Sequence, residues 1–151
     1  METIRHLNPD RHTNGELSTV YDPQSGVFQA LSSGFLCVDQ STAFFAEWKR
    51  AVQDVHSAGL AVTALVDLSD STAQSPEVVE IIINTTRGLY RPGDAIAMMV
   101  PTSIAKIQMR RALDPEYHEF FVSRFAAESW LRERDADRAV PMMRRAAGLY
   151  H

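Results

Sequence analysis

Cysteine is nearly absent from this chain of 151 residues, and Cys37 is its single instance. An intramolecular disulfide, a zinc cluster of several thiolates and CxxC redox chemistry are therefore excluded. A lone cysteine within the apolar segment 35–38 is typical of a small buried hydrophobe, while a catalytic pair with the distant His118 stays open. A chain of this length forms one domain whose core needs no disulfide to hold it.

Long apolar runs and an excess of positive charge are also absent. No window reaches the roughly 18 apolar residues that a membrane-spanning helix needs, and residues 1–15 lack the apolar core of a signal peptide. Fifteen Lys and Arg residues against nineteen Asp and Glu give a net charge of -4, the opposite of what a general nucleic-acid binder carries. We expect a cytoplasmic protein with no transmembrane segment and no nucleic-acid partner.

Sequence motifs of common nucleotide, hydrolase and metal sites are missing. The chain contains none of GxxxxGKS/T, GxGxxG, GxSxG and HExxH. Its five histidines, at positions 6, 12, 56, 118 and 151, share no metal-ligand spacing. We expect no metal, no cofactor and no catalysis, and an enzyme that uses Asp67, Asp70 or His118 remains a third hypothesis.

The pattern of apolar residues changes period along the chain. Apolar runs at 17–21 and 27–31 flank the turn sequence 22–26, which contains Pro23 and Gly26 and predicts a β-hairpin. Between 39 and 59, apolar residues recur at spacings of three and four, which predicts a helix that begins at Asp39 or Ser41 and ends at Gly59.

Two later runs, 60–66 and 95–100, are almost wholly apolar, as in strands covered on both faces. Ser75, Pro76 and Glu77 predict a helix start. Further helices are predicted after residues 101–103 and from Ser123, with a short strand at 118–122. The predicted order β-β-α-β-α-β-α-β-α indicates a single α/β domain with a mixed, mostly parallel sheet, an N-terminal β-hairpin and covering helices.

The two ends of the chain differ from this middle part. Residues 1–15 are a polar arm, either frayed or a short added strand. Residues 16–134 form the predicted domain, and residues 135–151 form an amphipathic tail. The tail places Val140, Met143, Ala147 and Tyr150 on one helical face, and a short isolated helix needs a docking surface. We expect a homodimer whose self-association involves the tail.

Several segments of the sequence resemble one protein family. They are the hairpin Tyr21-Asp22-Pro23, the pair Gly34-Phe35, ALVDLS at 64–69, QSPEV at 74–78 and AESWL at 127–131. Together these segments are similar to the STAS-like superfamily, the fold of anti-sigma-factor antagonists, which is related to CRAL-TRIO proteins. The resemblance implies a four- or five-stranded mixed sheet with helices mainly on one face, and usually no catalysis.

The densest polar cluster between two apolar elements is the predicted loop at residues 67–75. Ligands of open α/β sheets bind at the carboxyl ends of strands, where this loop would lie. In the antagonist branch a partner kinase phosphorylates a serine at this junction, although the serine there follows an aspartate directly and Leu68 follows Asp67 here. The candidate partner-binding, ligand-binding or phosphoacceptor residues are Asp67, Ser69, Asp70, Ser71 and Ser75.

These observations lead to two main hypotheses. The first is a non-enzymatic STAS-like regulatory or protein-binding module, controlled by serine phosphorylation and recognised by an unknown regulatory protein. The alternative is a carrier of a small lipophilic ligand, which the CRAL-TRIO relationship and the methionine- and isoleucine-rich interior suggest.

Overall fold

The computed structural model describes residues 3–7 and 15–135. In chain order the strands are β1 Thr3–Leu7, β2 Glu16–Asp22, β3 Val27–Gly34, β4 Thr63–Ser71, β5 Ala95–Met99 and β6 His118–Phe121. The helices are α1 Val38–Ser57, α2 Pro76–Thr86 and α3 Ser103–Ala112, and a fourth helix, α4, covers residues 124–135. The predicted tail lies almost entirely outside the described residues, so its role in self-association stays a prediction.

The strands form one six-stranded sheet in which spatial order follows sequence order. β2 pairs antiparallel with β1 and with β3, so the predicted hairpin is present. The pairings β3–β4, β4–β5 and β5–β6 are parallel. The predicted mixed, mostly parallel α/β sheet is confirmed, and part of the N-terminal arm adds an edge strand to it.

The two central strands bury both of their faces, as their apolar runs predict. Ala64 and Ile96 pack in the cluster that contains the side chains of α1 and α2. Leu65 and Ala97, one position further along, pack in a separate cluster with Leu131 of α4. Successive side chains of a strand point to opposite faces, so α1, α2 and α3 cover one face of the sheet and α4 covers the other.

The strand predicted at residues 60–66 is shifted along the sequence. Leu60 lies before β4 and is 59% exposed, whereas β4 continues past Asp67 to Ser71. The reason is main-chain pairing with β3, which resumes at Asp70 and Ser71 after a register shift. The predicted loop at 67–75 is therefore wrong for residues 67–71, which are strand, and only residues 72–75 connect β4 to α2.

The predictions for Cys37 and for the start of α1 also need correction. α1 begins at Val38, and Cys37 is its half-buried N-cap rather than a buried hydrophobe. The Cys37 sulfur accepts a hydrogen bond from the Gln40 N–H at 3.4 Å, and the Gln40 side chain accepts from the Cys37 N–H at 3.3 Å. This reciprocal capping box satisfies main-chain groups that a later start would leave without partners.

The Asp94 side chain joins α1, β4 and β5 at the amino ends of the parallel strands. Its side chain accepts hydrogen bonds from the main-chain N–H of Val62 and of Arg91, both at 2.8 Å. The second carboxyl oxygen lies 2.7 Å from Nε2 of His56 near the end of α1. Asp94 and His56 are both buried, so this network ties the end of α1 to the starts of β4 and β5.

We predict that Asp94→Ala lowers the free energy of unfolding by roughly 3 kcal/mol, because it leaves buried N–H groups and an imidazole without partners. Urea denaturation followed by circular dichroism measures the loss. Asp54→Ala, which removes an exposed carboxylate from α1, is the matched control and should change stability by less than about 0.5 kcal/mol. Equal effects of the two changes would contradict the role assigned to Asp94.

Candidate functional site

A cavity of about 490 Å³ lies between the sheet and the three helices that cover its first face. Its walls come from β2 to β5, from α1, α2 and α3, and from the start of β6. The volume falls within the range of about 300–1,000 Å³ that is usual for small-molecule sites. Most of the lining is aliphatic or aromatic, so the cavity suits an apolar ligand.

The cavity exists because α2 and α3 cover the sheet incompletely. α2 contains one buried residue, Val78, and α3 contains none. α2 packs against α1, whereas α3 packs against β6. Apolar side chains of both helices, among them Ile82 and Met109, face the cavity across from Val66 and Met98 of the sheet. The apolar faces predicted for these helices are present, but they line a space instead of closing a core.

The cavity is exposed along α2 and α3 and is buried at an aromatic end, which adjoins a second surface pocket lined also by Arg87 and Asp114. The exposed lining residues are Thr72, Ala73, Val79, Pro101, Gln108 and Ala112. They lie on α2, on α3 and on the segments that follow β4 and β5. The buried lining residues at the other end include Trp48, Tyr90, Ile96 and His118, which lie toward the amino ends of β5 and β6. A ligand would enter between α2 and α3 and reach the buried, aromatic end.

Two polar side chains lie at this aromatic end. The Tyr90 hydroxyl accepts a hydrogen bond from Nε1 of Trp48 at 3.0 Å, and burial raises the pKa of Tyr90 well above its usual value, so the phenol keeps its proton. Nδ1 of His118 lies 3.0 Å from the Asp114 carbonyl oxygen. Because a carbonyl only accepts, this contact places a proton on Nδ1. Burial lowers the pKa of His118, although Asp114 opposes the shift.

Thr19 adds a third polar group to the wall. It lies on β2, is 2% exposed and lines the cavity. Its hydroxyl oxygen has no hydrogen-bond partner in the part of the chain that the structure describes. A buried hydroxyl without a partner is costly and is rare in folded proteins. This atom therefore indicates a position where a bound molecule would supply a hydrogen bond.

The comparisons with known proteins support the fold more than any activity. No protein-family model and no curated protein matches this sequence. Among solved structures, the chain is similar to an uncharacterized protein of the DUF3478 family from Shewanella loihica PV-4, which has a SpoIIAA-like fold. The TM-score is 0.55 at 14% sequence identity, over 82% of this chain and 98% of that one. This chain has a SpoIIAA-like fold. The STAS-like prediction is thus confirmed at the level of the fold.

Within this SpoIIAA-like fold, neither Asp67 nor Ser69 lines the cavity. Asp67 lies on the face of the sheet that α4 covers, opposite the cavity. Partial burial pushes the pKa of Asp67 upward, but hydrogen bonds from Ser69 and the charge of Arg124 outweigh it, so the net shift is downward. The Ser69 N–H donates to Asp67 at 2.9 Å, and the Arg124 guanidinium lies 3.5 Å from the same carboxylate. This arrangement fixes the irregular part of β4 against α4.

The remaining candidates are divided between the cavity and the surface. Ser71 lines the cavity, and its hydroxyl donates to the Ser32 carbonyl oxygen at 2.8 Å. Ser75 caps α2 by accepting from the Val78 N–H at 3.3 Å, and Asp70 is exposed. Of the five predicted residues, only Ser71 contributes to the cavity wall.

The catalytic pairings that the sequence left open are not brought together. His118 pairs with Ile96 at the start of β5, whereas Asp67 pairs with Met99 at its end, about 10 Å further along the strand. Cys37 caps the end of α1 that is remote from the Asp94 network. Among the described residues, no group of three His, Cys, Asp or Glu side chains could hold a metal ion, and no helix is long and apolar enough to cross a membrane.

Sequence reasoning missed Thr19 and Tyr90 as cavity residues. Thr19 occupies an inward position of a strand where its neighbours Leu17 and Tyr21 are apolar in character. A hydroxyl at an inward strand position was the available signal. Tyr90 carried no such signal, because it lies in the short segment between α2 and β5, where no periodic pattern indicates which side chains turn inward.

We predict that Thr19→Val raises the free energy of unfolding by about 1 kcal/mol, because it removes a buried hydroxyl that has no partner. Urea denaturation of ligand-free protein measures the gain. Thr86→Val is the matched control, since the Thr86 hydroxyl also lines the cavity but donates to the Ile82 carbonyl oxygen at 2.8 Å. A loss of stability in Thr19→Val would show that the hydroxyl has a partner.

We predict that His118 contributes to a loss of stability as the pH falls below 6.5, the ordinary pKa of histidine. The folded-state pKa of His118 is lowered, so the unfolded chain binds the proton more readily at acidic pH, and the contribution present at neutral pH disappears. When the pH is lowered from about 7 to about 5, the free energy of unfolding should fall less for His118→Phe than for the wild type. Parallel urea titrations at several pH values test this, and identical pH dependences would rule it out.

Proposed function

We propose that this chain is a non-enzymatic binding module that holds a small lipophilic ligand in the cavity beneath α2 and α3. The observation that carries the proposal is the cavity itself, about 490 Å³ of space with a predominantly apolar wall. Apolar surface left uncovered in an otherwise packed fold is costly, and a lipophilic ligand would cover it. Of the two main hypotheses from the sequence, the geometry supports the lipophilic carrier best.

The shape of the site also supports binding rather than surface recognition. Its exposed rim belongs to α2, α3 and the segments before them, while its far end is lined by the buried side chains of Trp48, Tyr90 and His118. A ligand of appropriate length would be withdrawn from water over most of its surface, which is typical of small-molecule sites. None of the described residues that line the cavity is Asp, Glu, Lys, Arg or Cys, and the proposal is binding or carriage without chemical conversion.

Binding can be tested with the uncharged fluorophore N-phenyl-1-naphthylamine. We predict saturable binding of one probe per chain, with quenching or energy transfer from Trp48, which lines the cavity. Ala105→Phe should weaken binding by at least roughly tenfold, because the added ring occupies the cavity next to α3. Fluorescence titration measures both effects.

The matched control is Ala46→Phe, which adds the same ring to an exposed position of α1 outside the cavity wall. It should bind the probe as the wild type does. Absence of saturable binding by the wild type, or equal weakening by the two substitutions, would reject the proposed function. Native mass spectrometry of gently purified protein would then show whether any ligand is retained.

A second function, a regulatory module controlled by phosphorylation, is favoured by one observation. Ser69 is exposed and its side chain bonds the nearby Asp67 carboxylate, whereas Ser71 and Ser75 are half-buried and their hydroxyl groups bond main-chain atoms. A phosphoryl group on Ser69 would repel the Asp67 carboxylate and attract Arg124, and so would disturb the ion pair between β4 and α4. This mechanism supports Ser69 as the phosphoacceptor among the predicted serines.

If this second function holds, we predict that protein purified from its source carries one phosphoryl increment in its intact mass. Ser69→Ala should remove the increment and Ser71→Ala should retain it. Mass spectrometry of the intact chains decides the point. An increment that survives Ser69→Ala would assign the modification elsewhere, and an unmodified wild type would remove support for phosphorylation.

A further inference from the structure

The aromatic end of the cavity has an unused hydrogen-bond donor and an unused hydrogen-bond acceptor. The Tyr90 oxygen accepts from Trp48, but the Tyr90 hydroxyl proton has no acceptor among the described residues. His118 is bonded through Nδ1 to the Asp114 carbonyl, which leaves Nε2 as an acceptor, and no described group donates to it. The two rings are 5.2 Å apart between centroids in an edge-to-face arrangement, so the residue with the free donor is in contact with the residue that has the free acceptor.

Both groups are withdrawn from bulk water. Tyr90 is 9% exposed and His118 is 6% exposed, and both line the cavity. A polar group in such a position gains more from a hydrogen bond than it would at the surface, because water does not compete freely for it. The unpartnered hydroxyl of Thr19 adds a further polar point on the same wall.

The cavity has no means of neutralising a charged ligand. None of the described residues that line it is Asp, Glu, Lys or Arg. A carboxylate or phosphate that entered the cavity would lose hydration without gaining a cationic partner from the cavity lining, which is strongly unfavourable. His118 would not supply the charge, since burial holds its pKa below the usual value.

We propose that the cavity selects an uncharged lipophilic alcohol, whose hydroxyl oxygen accepts from Tyr90 and whose proton is donated to Nε2 of His118. The proposal deepens the proposed binding function and rests on it. The alcohol uses the donor and the acceptor together, whereas an ether uses only the donor and a carboxylate carries a charge that the wall does not match. The aliphatic remainder of the ligand extends along the apolar wall toward the opening between α2 and α3.

The test is a displacement assay on the full chain with N-phenyl-1-naphthylamine as the bound probe at neutral pH. The competitors are decanol, decanoate and decyl methyl ether, which each contain an unbranched chain of ten carbon atoms and differ in the polar end. We expect decanol to displace the probe at a concentration roughly tenfold lower than decanoate does. We expect Tyr90→Phe to weaken decanol binding about fivefold, the effect of one hydrogen bond.

Thr86→Val is the matched control for the Tyr90 variant, because it also removes a hydroxyl from the cavity wall but one that is bonded within α2. Decanol should bind this control as it binds the wild type. Should Tyr90→Phe fail to fold, as judged by circular dichroism, the ether decides on the wild type. Weaker binding of the ether than of decanol then supports the inference, and equal or tighter binding overturns it.

The outcomes separate the inference from the function beneath it. If the probe binds but decanoate displaces it as well as decanol does, or a folded Tyr90→Phe binds decanol normally, the alcohol is the wrong ligand class and the binding function stands. If the wild type does not bind the probe at all, the proposed function fails and the inference fails with it.

Discussion

Burial of both faces of β4 and β5 is the constraint on which the rest of the structure depends. Strands as apolar as these are stable only when each face is removed from water. On one face α4 supplies this cover through Ala127 and Leu131. On the other face the cover is shared by α1, α2 and α3, and it is complete near α1 but incomplete near α2 and α3. The cavity follows directly from this unequal cover.

Unequal cover also explains why one end of the cavity is more buried than the other. α1 contributes large buried side chains, including Phe44 and Trp48, which pack with Phe28 of β3. α2 and α3 contribute mainly branched or flexible side chains that remain partly exposed. The aromatic part of the fold therefore forms a rigid back wall, while the aliphatic part forms a more open entrance. Methionine side chains in the lining, such as Met109, can adapt to different ligand shapes.

The Asp94 network and the Gln74 side chain hold opposite ends of the parallel strands in place. At the amino ends, Asp94 holds β4 and β5 to α1 with hydrogen bonds of 2.8 Å and a close contact to His56. At the carboxyl ends, Gln74 donates to the Gly34 carbonyl and accepts from the Leu36 N–H, so it ties the segment after β4 to the end of β3. These polar contacts fix the strands while leaving the space between α2 and α3 free.

The sequence by itself determined the order of elements and the presence of two strands buried on both faces. Those features depend on local periodicity and on caps such as Ser75-Pro76, which act within a few residues of the chain. The sequence did not predict the boundaries of two elements correctly. β4 extends to Ser71 because β3 supplies hydrogen bonds there, and Cys37 caps α1 because Gln40 completes the capping box. Both depend on partners that a pattern of hydrophobicity does not reveal.

Tertiary structure alone decided where the candidate site lies. The cavity residues Thr19, Trp48, Tyr90 and His118 are far apart in the sequence. They meet because β2, α1 and the starts of β5 and β6 surround one space on the face of the sheet that α1, α2 and α3 cover. Whether apolar helix faces close a core or line a cavity depends on how closely the helices approach the sheet. That distance is set by the packing of the whole domain, and the residues of α2 and α3 do not encode it individually.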